Sequence, residues 1–361
     1  MTGQASEAAC WLALIYASGL KLARVKSIIA GWCLERGQPL ASLFDLPPAR
    51  LAELDIPASE REQVIATGDH LAEQTAWLAQ LEREGTQLIT RADPRYPPGL
   101  VRWLPPAMQP LLLFCRGDVT LLSHPSAAII GARHTSGESS TLARQLATLL
   151  AEEGLVVVSG LGKGAGQAAF DGALSTGEGR AMAVLPVGIN AFSGLPGDAG
   201  VVTAALQQRR ALFISPFHPQ ARFSEAQAIA RNRLILGLAE AVFVVSALEG
   251  GPEKEMADEA LRLGKALYVW DTSAEDGSLA GNQALIQAGA LPITGMADLL
   301  DAIEAVVATA LEGMEPGPVP SPPVTSQVRE VETEYDTQAI LHLLSKTGRV
   351  PEALARRLRQ G

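Results

Sequence analysis

The residues best placed to do chemistry are cations that follow glycines at the ends of short apolar runs. The first run is Ile129-Ile130-Gly131-Ala132-Arg133, followed by Ser136-Gly137 and then helical spacing. A glycine there lets the backbone turn tightly and approach a ligand, and the next helix offers N–H groups without intrahelical partners to an anion. Arg133 adds a planar cation that can fork onto phosphate. An ordinary strand-to-helix turn accounts for the same residues. The second run is Val158-Ser159-Gly160-Leu161-Gly162-Lys163-Gly164-Ala165-Gly166. Alternating glycines between a strand and a helix suit a loop that cradles phosphate. It is not a Walker A loop, because glycine follows Lys163 where Ser or Thr would hold Mg²⁺. It fits the dinucleotide fingerprint poorly, since Ala165 stands where the third glycine would fall. A generic glycine-rich connection remains the alternative.

A third group is Arg231-Asn232-Arg233, set in a mostly apolar stretch after Phe223-Ser224-Glu225. Two residues apart on a helix, the arginines point about 200° away from each other. Recognition of phosphate or carboxylate accounts for both, and a solvated helix face remains the alternative. A fourth group, Gly281-Asn282-Gln283 with Gly289-Ala290, reads as a helix cap or turn. Cys10, Cys33 and Cys115 are scattered and odd in number, as expected of reduced thiols. The five histidines, His70, His124, His134, His218 and His342, form no ligand pair at helical or ribbon spacing. Neither a metal nor a cofactor is expected, and no Ser/His/Asp set offers a nucleophile. A binding protein is expected rather than an enzyme.

Elements that would position these groups are legible around them. Candidate strands are Leu111–Cys115, Ala127–Gly131, Leu155–Ser159, Ala181–Leu185, Ala211–Ile214, Ala241–Val245 and Ala266–Trp270. Helical stretches fall at 138–152, 165–175, 200–209, 224–239, 253–263 and 279–288. Such alternation implies βαβ units and a parallel sheet covered on both faces, with a crevice at the carboxyl ends of its strands. Residues 1–85 read instead as a helical bundle, with Trp11, Leu12, Leu14 and Ile15 and then Val25, Ile28, Ile29 and Trp32 at helical spacing. Residues 59–84 read as one long helix ending at Gly85. The stretch EPGPVPSPP within 311–334 is a proline-rich linker, and 335–361 holds two short helical segments.

Bulk properties agree with a globular chain: 361 residues, 47% hydrophobic, 19% charged, 5% aromatic. The formal net charge of −10 supplies no global positive field, so any nucleic-acid binding must come from a local basic pocket. The N-terminal MTGQASEAAC lacks a basic signal-peptide region, and no apolar run approaches the ~20 residues needed to span a bilayer. A cytoplasmic protein without membrane contact is expected.

Taken in order, the motifs resemble the DprA/Smf family over most of the chain. ITRADPRYPPGL (89–100) is similar to the family's opening strand and its D-x-x-Y-P-x-x-L run, and PLLLFCRGDVTL (110–121) to P-x-L-x-x-x-G. IIGARHTS matches V-G-S-R-x-x-S, and VVSGLGKG matches S-G-L-A-x-G. RNRLILGL matches R-N-R-I-I-A-G-L, and GNQALIQAGA matches G-x-N-x-L-I-x-x-G-A. The resemblance implies an N-terminal SAM-like helical domain over 1–85. It implies a Rossmann-like, doubly wound, mostly parallel DNA-binding domain over 86–310. Beyond the linker it implies a shortened winged-helix segment over 335–361. It also implies a homodimer that binds single-stranded DNA and works with RecA in recombination or transformation. Carried over by position, Gly131, Arg133, Ser136, Ser159, Gly160, Lys163, Arg231, Asn232 and Arg233 would line the DNA pocket.

The departures are specific. Ala165, Gly166 and Phe170 stand where the family has Ile, Asp and His, and Ser246 stands where it has glutamate. The loop Pro186–Asp198 lacks the family's Tyr-Pro. These changes motivate a second reading, an antitoxin or sensor of a phage-defence pair that restrains a toxin or other defence partner. A third is enzymatic: Glu249-Gly250-Gly251-Pro252-Glu253-Lys254-Glu255 resembles the P-G-G-x-G-T-x-x-E loop of phosphoribohydrolases, without its Gly-Thr step.

Overall fold

The computed structural model describes residues 6–52, 54, 56–132, 137–192, 199–271 and 280–313. Arg133, Ser136, most of the expected linker and all of 335–361 lie outside the described residues. In chain order the helical region holds α1 (Glu7–Tyr16), α2 (Leu22–Ile29), α3 (Ala41–Phe44), α4 (Pro48–Ala52), α5 (Ala58–Ala66) and α6 (Leu71–Arg83). Then come β1 (Thr86–Thr90), α7 (Pro98–Trp103), β2 (Leu112–Gly117), β3 (Ser126–Gly131), α8 (Gly137–Glu152), β4 (Val156–Ser159), α9 (Ala165–Ser175) and β5 (Ala181–Val184). The remainder is α10 (Ala199–Gln207), β6 (Ala211–Ser215), α11 (Glu225–Leu238), β7 (Ala241–Ser246), α12 (Pro252–Arg262), β8 (Ala266–Trp270), α13 (Ala280–Gln287), β9 (Leu291–Ile293) and α14 (Met296–Gly313).

The described residues form two compact units, one within 1–123 and 182–237, the other within 124–181 and from 238 on. In the first, the helical region shares a core with a sheet of order β1-β2-β6-β5. Its β1–β2 and β2–β6 pairs are antiparallel, so this part departs from the expected parallel sheet. Trp11, Leu12 and Leu14 of α1 are fully buried, as their spacing requires. The expected long helix over 59–84 is interrupted by a tight 3₁₀ turn at Thr67–His70, which separates α5 from α6. Gly85 follows with φ of +78°, a left-handed conformation suited to a helix terminus.

The second unit orders its strands β4-β3-β7-β8-β9, and β3–β4, β3–β7, β7–β8 and β8–β9 all pair in parallel. β3 leads through α8 to β4 on one side, while β7 sits on the other side of β3 and leads outward through α12 and α13. The strand order therefore reverses between β3 and β7, which defines a topological switch point. Runs such as Val156-Val157-Val158 and Phe243-Val244-Val245 are buried along their whole length, as strands covered on both faces must be. At Gly172 any Cβ would strike the backbone of Arg144, so the crossing of α9 over α8 depends on that glycine. β9 and α14, which the sequence pattern did not resolve, complete the unit. α14 continues to Gly313, so the helical part outlasts the boundary expected at 310. Among the described residues, nine strands interleaved with helices, mostly parallel, make the expected α/β Rossmann-like fold.

Candidate nucleic-acid interface

The site is built at the carboxyl ends of β3, β4 and β7. Gly131 ends β3, and a Cβ placed there would stand 2.6 Å from Ala165 Cβ and 2.7 Å from Val245 Cγ2. Only glycine lets β3 lie this close to the start of α9. The β3–β7 ladder slips by one residue here, pairing Ile130 with Val244 but Gly131 with Ser246. Such bulges re-aim a strand end. The amide of Ala132 then donates to Ser246 O at 3.0 Å and to Ser246 Oγ at 3.1 Å. This three-centre hydrogen bond fixes the backbone of Ala132.

β4 gives way to Gly160-Leu161-Gly162-Lys163-Gly164, five residues before α9. Leu161 has φ of +53° and Gly164 has φ of +85°. The first is unusual for a branched residue, and the second is a conformation glycine tolerates. Ser159 is fully buried and its hydroxyl is committed twice. It donates to Gly166 O at 2.5 Å and accepts from Leu161 N at 3.1 Å. Ser159 thus braces the loop from beneath. Gly160 is half-buried and Lys163 is exposed, with the amino end of α9 just beyond it. An exposed ammonium beside the amino end of a helix has the charge that would suit a phosphate.

Arg231, Asn232 and Arg233 belong to α11 in the other unit. Arg231 is 9% exposed, whereas Asn232 and Arg233 are half-buried, so the opposed directions read from helical spacing correspond to different burial. Gly237, further along, packs so closely on Leu100 and Leu104 that a Cβ would stand 2.6 Å from Leu100 Cδ2. The structure therefore places Gly131, Ser159, Gly160 and Lys163 together at neighbouring strand ends, and Arg231–Arg233 on a helix of the first unit.

Asn282 does something its sequence context did not reveal. Rather than capping its own helix or making a turn, its buried carboxamide accepts from Ala247 N at 2.7 Å and donates to Trp270 O at 2.8 Å. It thereby ties the ends of β7 and β8 together. Gly281 lets α13 approach, since a Cβ there would reach Ala247 O at 2.5 Å. A polar residue in the mostly apolar run AGNQALIQ was the available signal. Burial pushes the Cys10 thiol up to about 11 and those of Cys33 and Cys115 up to about 12, so none is a thiolate near neutrality. Among the described residues no group of three or more His, Cys, Asp or Glu could hold a metal ion, and no helix is long and apolar enough to cross a membrane.

Fold and site together define a doubly wound α/β protein with a glycine-rich loop at its switch point. Residues 87–304 match the family model for DNA recombination-mediator protein A, and the chain belongs to that family. It is 31% identical to the DNA processing protein DprA of Streptococcus pneumoniae over 198 residues, covering 54% of this chain and 67% of that one. It is 27% identical to Protein Smf of Escherichia coli over 227 residues, covering 63% and 59%. The solved structure of the S. pneumoniae protein aligns with a TM-score of 0.60 at 25% identity, over 81% of this chain and 97% of that one. A solved DNA processing protein A from Helicobacter pylori, described for its single-stranded DNA binding mode, shares the fold at 22% identity and a TM-score of 0.52, over 62% of this chain and 96% of that one.

Proposed function

We propose that this protein binds single-stranded DNA through its sugar-phosphate backbone and acts in recombination or transformation beside a RecA-type recombinase, as a homodimer. The observation that supports the ligand is the loop Gly160–Gly164. It presents exposed Lys163 at the start of α9, braced by Ser159 and set against Gly131. Family membership supports the role in DNA processing. On this reading Gly131 and Gly160 admit the backbone of the strand, Lys163 and Arg133 answer phosphate charge, and Ser136 adds a hydroxyl. Ser159 holds the loop in shape. Arg231, Asn232 and Arg233 supply a second set of polar contacts. Binding of this kind is salt-sensitive and tolerant of sequence.

The reading is of a binding protein, not an enzyme. Fluorescence anisotropy with a labelled oligo-dT strand tests it: saturable binding that weakens with salt is expected, and absence of binding at low salt contradicts it. Assaying release of base from nucleoside monophosphates separates it from a phosphoribohydrolase.

A further inference from the structure

Tyr16 and Phe223, 38% and 55% exposed, are the most exposed Phe, Tyr or Trp side chains among the described residues. A single exposed ring needs no explanation. These two belong to the same unit, and the first is part of a larger cluster. Tyr16, at the end of α1, meets Trp77 of α6 edge-on at 5.7 Å between ring centroids and His218 edge-on at 5.2 Å. Trp77 and His218 lie stacked, 5.2 Å apart and 26° from parallel. Trp77 is half-buried, whereas Tyr16 and His218 are exposed.

The backbone keeps Phe223 within reach of this cluster. After β6 a tight turn closes where Ala221 N donates to His218 O at 2.7 Å, and Gln220 N donates to His218 Nδ1 at 3.2 Å, which orients the imidazole. Phe223 follows two residues later, so its Cα lies within about 15 Å of that of His218. It precedes Ser224, whose Oγ accepts from Gln227 N at the start of α11. An apolar residue in that place often packs on the fourth residue of the helix. Here that residue is Ala228, and Phe223 stays exposed. Arg222, just before it, is exposed and has no hydrogen bond or ion pair with any described residue. Glu73, one turn before Trp77, lies 3.6 Å from His70.

Exposed flat rings beside a guanidinium without a partner suit the bases of an unpaired strand. Every base has a face to stack, and arginine adds a cation for the rings and for phosphate. The glycine loop, Ser159–Gly166, contains no aromatic residue, so it offers a contact for phosphate and none for a base. We propose that Tyr16, the Trp77–His218 stack and Phe223 form a platform on which bases of one DNA strand stack, with Arg222 answering a phosphate between them. The platform lies wholly within the first unit. The inference rests on the reading of the protein as a single-strand DNA binder and adds to it the contact that recognises unpaired bases.

The test compares the affinity of the full chain for oligo-dT with that for an abasic strand of the same length and phosphate count. The wild type should prefer oligo-dT, and Phe223→Ala should cut that preference about fivefold or more without changing affinity for the abasic strand or the salt slope. Tyr16→Leu should act in the same direction. Lys163→Ala, by contrast, should weaken both strands alike. If Trp77→Leu does not fold, photocrosslinking a 5-iodouracil strand to the wild type reads the same contact, with adducts expected on Tyr16, Trp77, His218 or Phe223. No binding of either strand at low salt would defeat the reading of the protein as a DNA binder, and the platform with it. Binding of both strands with equal affinity, a preference for oligo-dT that survives in the folded Phe223 and Tyr16 variants, or adducts only on other residues overturns the platform alone. Equal affinity would assign the exposed rings to a protein partner instead.

Discussion

The amide of Ala132 is held by Ser246 from two atoms at once, the carbonyl oxygen at 3.0 Å and Oγ at 3.1 Å. The residue after β7 is held in its turn, because Ala247 N donates to Asn282 Oδ1 at 2.7 Å. A relay of buried hydrogen bonds thus runs from α13 through the end of β7 to the end of β3. Asn282→Ala leaves Ala247 N and Trp270 O without that partner and should destabilise the fold by about 1–3 kcal/mol. Ser246→Ala removes only one of two acceptors and should cost less. Denaturant unfolding measures both, and equal losses would contradict this ordering.

Two glycines of the same site should respond in opposite ways to alanine. At Gly131 the new methyl meets Ala165 Cβ at 2.6 Å, and the strand and helix must separate, at a cost of about 1–3 kcal/mol. At Gly166 the nearest atom, Ser159 Oγ, is an ordinary 3.4 Å away and the position is helical. Gly166→Ala should therefore be neutral or stabilise by about 0.5–1 kcal/mol. Thermal unfolding of the two variants checks the contrast. A tolerated Gly131→Ala would mean that β3 and α9 are not as close as described.

His218 stacks on Trp77 with centroids 5.2 Å apart and meets the edge of Tyr16 at the same distance. Burial lowers its pKa, so folding favours the neutral ring. The stability it contributes is complete above the ordinary histidine value of ~6.5 and is lost as pH falls through the lower folded value. The melting temperature should therefore decline on acidification from pH 7 toward 5, and His218→Gln should flatten that decline. An unchanged slope in the variant would place the pH dependence elsewhere.

Much of this was legible in the chain. The strand ends at Gly131 and Ser159 and the helix Ala165–Ser175 follow from hydrophobic runs broken by glycine, because burial on both faces of a parallel strand leaves a continuous apolar signal, whereas β7 runs one residue past the expected end at Val245. The antiparallel order of β1, β2 and β6 was not legible, since pairing direction depends on partners distant in sequence. The break at Thr67–His70 escaped because a 3₁₀ turn preserves nearly the same apolar spacing. Ser159 and Asn282 were noticed for their motifs, but their work depends on burial and on carbonyls up to 12 residues away or more, such as Trp270 O.

The central claim is that Lys163, on its braced loop, answers a DNA phosphate. The direct measurement is oligo-dT affinity across a series of salt concentrations for the wild type and Lys163→Ala. A log–log slope of roughly −0.7 per phosphate neutralised is predicted for the wild type, and the variant should lose about one such increment while its unfolding curve is unchanged. Identical affinity and slope in the two folded proteins would contradict the account.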